Sequence, residues 1–190
     1  MVGQRRALRM VGVGGVIVLL AAAGCGEQDT GNRTEATTQD NKIAVADIRP
    51  LGDTGVTGQA HFVEGPDQTV TIGVQATGLT PGSHGIHVHE VGDCGTAEAP
   101  GGHFDPSGTR HGNPNESYTL HHAGDLPMIT ANASGQGKLT WETSNLTVSD
   151  GSRSFVGRSL VIHADADDYT TEPAGNSGTR IACGVITAEQ

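Results

Sequence analysis

From residue 43 onward, eight short segments of this chain alternate polar with apolar residues or run β-branched, and they limit what it can fold into. They lie at 43–48, 55–62, 68–76, 85–90, 126–131, 137–142, 159–164 and 179–186. Turn signals bound them, among them Gly65-Pro66-Asp67, Thr80-Pro81-Gly82 and Ser134-Gly135. Strands this short and this evenly spaced predict an all-β, antiparallel sandwich or barrel. Aromatic residues make up only 3% of the chain while glycines number 29, which favours short strands and loops over packed helices. Two connections are long, roughly 91–125 and 165–178. Loops beyond about 12–15 residues are usually either functional or disordered.

The first 42 residues have a different character. Arg5, Arg6 and Arg9 precede an apolar stretch, Val11–Gly24, that is too short to span a bilayer comfortably. Residues 1–24 therefore read as an export signal. The stretch ends Ala21-Ala22-Ala23-Gly24-Cys25, similar to a bacterial lipobox in which the Cys is acylated and becomes the mature N-terminus. Ordinary signal cleavage is the alternative. Residues 25–42 hold no aromatic and no aliphatic side chain larger than Ala, so they read as a flexible tether to a domain at 43–190. The expected location is the outer face of the plasma membrane or the cell envelope.

The formal charge is −10, and three of the 11 basic residues lie in the first ten positions. Residues 25–190 carry the remaining 8 against 21 acidic side chains. Nucleic acid and anionic lipid repel such a body, which leaves a lipid anchor as the expected membrane contact. An anionic substrate would need a local positive spot.

Seven potential metal ligands fall between positions 87 and 163: His87, His89, His103, His111, His122, Asp125 and His163. His87 and His89, two apart on a strand, leave the same face and can reach one ion. His103, His111 and the His122-x-x-Asp125 pair occupy the first long loop beside glycines, which let the backbone approach a metal closely. Imidazole suits copper and zinc, and three imidazoles with one carboxylate make a closed tetrahedral site of the kind zinc takes. Any one of these histidines alone would be an ordinary surface or core imidazole; six in order are not. His61 reads as a strand-surface residue and His84 as a partner of nearby backbone. The spacing to Asp125 favours His122 over His121.

Gly85-Ile-His-Val-His-Glu-Val-Gly92, Gly102-His-Phe-Asp-Pro106, His111-Gly-Asn-Pro114, His122-Ala-Gly-Asp-Leu126, Leu160-Val-Ile-His163 and Gly178-Thr-Arg-Ile-Ala-Cys-Gly-Val185 together resemble Cu/Zn superoxide dismutase, in family order from about residue 43 to the end. The resemblance implies an eight-stranded antiparallel Greek-key β-barrel with two long functional loops. It implies one copper on His87, His89, His103 and His163, and one zinc on His103, His111, His122 and Asp125. Asp167 matches a carboxylate that links the two ligand sets by hydrogen bonds, with Asp168 the other choice. Cys94 and Cys183 match an intrasubunit disulfide, as an exported chain with two body cysteines also suggests. Arg180 matches an active-site arginine that docks the substrate anion.

The activity so implied is disproportionation of superoxide to oxygen and hydrogen peroxide by cycling of Cu(II) and Cu(I). His103 would leave copper on reduction, take a proton and return it on reoxidation. Family members are dimers or monomers, so the resemblance admits a homodimer. One departure stands out: residues 165–177 contain no Lys or Arg but hold Asp165, Asp167, Asp168 and Glu172, so attraction of the anion should fall mainly to Arg180. The alternative from another class is a non-catalytic copper-binding lipoprotein on the same fold.

Overall fold

A computed structural model describes residues 40–189. The export signal, Cys25 and most of the tether lie outside the described residues. Ten strands and no helix are found among the described residues: β1 Lys42–Pro50, β2 Thr57–Glu64, β3 Val70–Thr77, β4 Gly82–His84, β5 Ile86–His89, β6 Ile129–Ala131, β7 Gly137–Thr143, β8 Ser159–His163, β9 Arg180–Val185 and β10 Thr187–Ala188. All eight expected segments form strands. The extra two are β4, which lies just before the expected strand at 85–90, where a turn was expected, and a short β10 that pairs with β1.

Alternation explains the core. On β3, Val70, Ile72, Val74 and Ala76 point inward, as do Ala44, Ala46 and Ile48 on β1, and all seven are buried. Period-2 patterning of this kind is what lets one face of a strand enter the core. Phe62 on β2 meets Phe155 with ring centroids 4.8 Å apart. Phe155 comes from residues 144–158, a third long connection that carries no ligand. It plugs the barrel with Leu146, Val148 and Phe155. Buried Glu64 on β2 holds this connection in place, accepting hydrogen bonds from Thr147 Oγ1, Val148 N and Ser149 N at 2.9 Å. Burial works to raise the pKa of Glu64, but its hydrogen bonds from Ser149, Thr147 and Val148 hold it below the ordinary carboxylate value.

The strand order is β4-β6-β7-β3-β2-β1-β9-β8-β5, with every pairing antiparallel. β7 returns to lie beside β3 after three intervening strands, a Greek-key step. The two ends of the order, β4 and β5, are consecutive in the chain with only Gly85 between them. The sheet therefore closes on itself through one segment, which removes the open edges of a flat sheet. That segment carries His87 and His89, and its closing partner β8 ends in His163.

Candidate metal centre

The centre is built around the closing segment. On β5, Ile86 and Val88 join the core, so His87 and His89 point to the opposite face, under the long loops, and both are fully buried. The Val88 backbone then holds both arms of the first long loop. Val88 N donates to Gly124 O and Phe104 N donates to Val88 O, each at 2.8 Å, while Gly124 N donates to Phe104 O at 2.8 Å. These bonds place His103 beside His89, and Asp125 beside His87. They also explain Gly124: a Cβ there would collide with the Val88 carbonyl.

Two groups of donors result. His87, His89, His103 and His163 form one; His103, His111, His122 and Asp125 form the other, with the ligand atoms of each lying within 4.8 Å of one another. His103 belongs to both. All seven side chains expected from the sequence are thus brought together. His163 arrives at the end of β8, where a register shift in the pairing with β9 sets it opposite Arg180.

Hydrogen bonds decide which nitrogen each ring has free. Asp167 is buried and touches both groups, through His87 Nε2 at 2.7 Å and His111 Nε2 at 2.9 Å. Asp168 is instead exposed and caps its own turn at Thr170 and Thr171. His89 Nδ1 donates to Gly101 O at 3.0 Å, leaving its Nε2 3.4 Å from His163 Nε2. His163 Nδ1 lies 3.0 Å from Ser177 Oγ. In the second group, Asp125 Oδ1 meets His103 Nδ1 at 2.8 Å, His111 Nδ1 at 3.1 Å and His122 Nδ1 at 3.4 Å.

Among the described residues, three buried nitrogens have no hydrogen-bond partner: His87 Nδ1, His103 Nε2 and His122 Nδ1. Buried polar atoms are nearly always paired, so three orphans in one place fit the donor atoms of cation sites. The first two face the all-imidazole group and the third the group with Asp125. Ligand atoms of a tetrahedron with bonds of about 2.0–2.1 Å stand roughly 3.3 Å apart, close to the contacts around Asp125.

The protein's own charges separate the groups. Burial, then the neighbouring His87, pushes His103 down to about 4 and His163 down to about 3, and burial with His103 holds His89 well below the ordinary range. For His111, burial again opposes charge, but hydrogen bonds to Asp125 and Asp167 outweigh it and raise the ring to about 10. His122 is raised too, against burial, by Asp125. Burial would raise the two carboxylates, yet their histidine partners hold Asp125 far below the usual range and Asp167 down to about 2. In one group burial disfavours charge on His89, His103 and His163; the other is built around the Asp125 carboxylate.

The sequence did not single out several supports. Ser177 and the carbonyls of Gly101 and Gly178 orient the imidazoles, and Glu172 accepts from His111 N at 2.9 Å. Gly175 has φ +62°, and a Cβ there would collide with Asp167 Oδ1, so only glycine fits beneath the Asp167–His111 link. His84 meets the carbonyls of His163 and Thr80 at 2.9 and 2.8 Å, and His61 is exposed, both as expected. His121 is buried with its Nδ1 on His122 O, outside both groups.

Beside the centre, Arg180 donates from Nη1 to Ala97 O at 2.7 Å and from Nη2 to Gly101 O at 2.5 Å. Burial lowers its pKa, though a guanidinium stays charged at any ordinary pH. Ala97 lies on the loop that the Cys94–Cys183 disulfide ties to β9, with Cα atoms 5.6 Å apart. In the second long loop Asp165, Asp168 and Glu172 are exposed.

A family model described as copper/zinc superoxide dismutase matches residues 56–186. A relative from Deinococcus radiodurans named superoxide dismutase [Cu-Zn] is 44% identical over 150 residues, covering 73% of this chain and 81% of that protein. One from Onchocerca volvulus named extracellular superoxide dismutase [Cu-Zn] is 39% identical over 154 residues, covering 75% of this chain and 74% of that protein.

Proposed function

The chain belongs to the copper/zinc superoxide dismutase family, and from that premise we propose how its own residues divide the work. Superoxide dismutase activity, with copper and zinc as cofactors, comes with the family. We assign copper to His87 Nδ1 and to Nε2 of His89, His103 and His163, since an all-imidazole set suits a copper ion. Zinc goes to Asp125 and to Nδ1 of His103, His111 and His122, since a carboxylate with three imidazoles suits zinc. Copper supplies the one-electron couple, and zinc a fixed positive charge on the shared ring.

The observation that carries the reading is His103. Its Nδ1 is committed to the Asp125 side and its buried Nε2 is orphaned toward the other group. The atom that can hold and return a proton is thus Nε2, and Asp125 keeps the ring aimed while it does so. Asp167 fixes His87 and His111 relative to each other, so the two ligand sets move as one. Arg180 docks superoxide. Two of its five N–H donors hold the carbonyls of Ala97 and Gly101, which leaves three for an anion.

We also place the protein outside the cytoplasm, anchored through an acylated Cys25. The basic start, the apolar stretch and the body disulfide support this. Purified protein loaded with both metals should hold about one copper and one zinc per chain and consume superoxide. A single metal per chain, or none, on a correctly folded protein would overturn the ligand assignment.

A pH effect follows from the second group. His111, raised to about 10, carries a proton at pH 7. Zinc needs neutral imidazole, so loading must expel about one proton per ion from His111 at pH 7. Zinc affinity should therefore weaken by about tenfold for each pH unit lost per proton, and proton release should vanish above pH 10. Calorimetry of zinc binding in buffers of different ionisation enthalpy measures the count. A value near zero at pH 7 would refute it.

A further inference from the structure

An open groove of about 560 Å³ lies over the outer edge of the copper group. Two residues that line it, Gly101 and Gly178, carry the carbonyls that hold His89 and His163. Only two charged side chains line it, Arg180 and Glu98. Glu98 immediately follows Ala97, whose carbonyl is bound to the Arg180 guanidinium, so its side chain springs from backbone fastened beside the cation. The Glu98 side chain is exposed, and among the described residues its carboxylate accepts no hydrogen bond and forms no ion pair. Arg180 gives its two recorded bonds to carbonyls alone. The groove thus holds a cation with donors to spare and a carboxylate with nothing to accept.

We propose that Glu98 is an internal competitor for Arg180: its carboxylate contends with small anions for the free guanidinium donors and so sets how strongly the mouth of the site attracts them. The inference rests on the reading of Arg180 as the anion-docking residue. Guanidinium binds carboxylates readily, so a tethered one in the same groove is a weak, always-present rival. Glu98 touches neither metal ligands nor the reacting atoms. Its effect should fall on capture of the anion, in kcat/KM and in anion affinity, and not on steps that follow capture.

The test uses metal-loaded protein and two readouts: kcat/KM for superoxide across a range of ionic strength, and affinity for azide as a small-anion probe, followed optically. Glu98→Gln should raise both by about two- to fivefold at low ionic strength, and the gain should fade as the screening length shrinks. Glu98→Asp, which keeps the charge, should stay near the parent. In an Arg180→Gln background, Glu98→Gln should change neither quantity, because the rivalry has lost its object. An equal gain in that background would mean general repulsion and overturn the proposal, as would no gain in the parent. If the loaded parent consumes no superoxide while Glu98→Gln still tightens azide, the enzyme reading fails and the rivalry stands.

Discussion

His163→Ala is expected to lower superoxide consumption by metal-loaded protein by more than about a hundredfold, since the loss of groups that merely orient a ligand already costs 10–100-fold. The ring stands at the end of β8 with its Nε2 3.4 Å from that of His89 and its Nδ1 held by Ser177. Removing it takes one of four nitrogens from the copper group and leaves the zinc group with all its ligands. Copper content should fall and zinc content stay. Because His163 is a strand-end residue outside the hydrophobic core, the barrel should persist. Circular dichroism and mass spectrometry of bound metal, run beside the activity assay, separate the effects. A variant that keeps copper and full activity would remove His163 from the ligand set.

Replacing Cys94 and Cys183 together by Ser should cost about 4–5 kcal/mol, from the chain entropy released when the 89-residue separation is no longer closed. For a body of this size that amounts to a fall in Tm on the order of 10–18 °C. A second effect is local. The bridge ties the loop that carries Ala97 to β9, and Ala97 O and Gly101 O position Arg180. The double variant should therefore also lose kcat/KM below its melting range. Scanning calorimetry and activity at 25 °C test the two parts. An unchanged Tm would show that the closed loop is already compact when unfolded.

The strands and ligands were legible because each has a period or a spacing. Val70, Ile72, Val74 and Ala76 mark an inward face, and His87-Val88-His89 puts two rings on the other. Asp167 was legible only through the family resemblance, since among Asp165, Asp167 and Asp168 nothing in the loop itself marks it. What could not be read is what the backbone does. The carbonyls of Gly101 and Gly178 and the amide of His111 carry no sequence mark, yet they fix two imidazoles and a ligand loop. The role of Glu64 was hidden for another reason: on an alternating strand a carboxylate reads as solvent-facing, and only the 144–158 connection makes it an acceptor. Gly175 is similar, since its need for φ +62° appears only once Asp167 lies above it.

The closing segment of the barrel has a kinetic side. Pairing β5 with β8 joins residues more than 70 apart in sequence, such as Ile86 with Ile162, and such distant contacts form late in folding. Since His87 and His89 sit on one side of that seam and His163 on the other, an ion held as proposed would rivet it. Opening the seam would then break ligand bonds, and exchange of the ion would await such an opening or a parting of the loops above it. Wherever exchange ran through the seam, ion retention and resistance to unfolding would share the same slow clock.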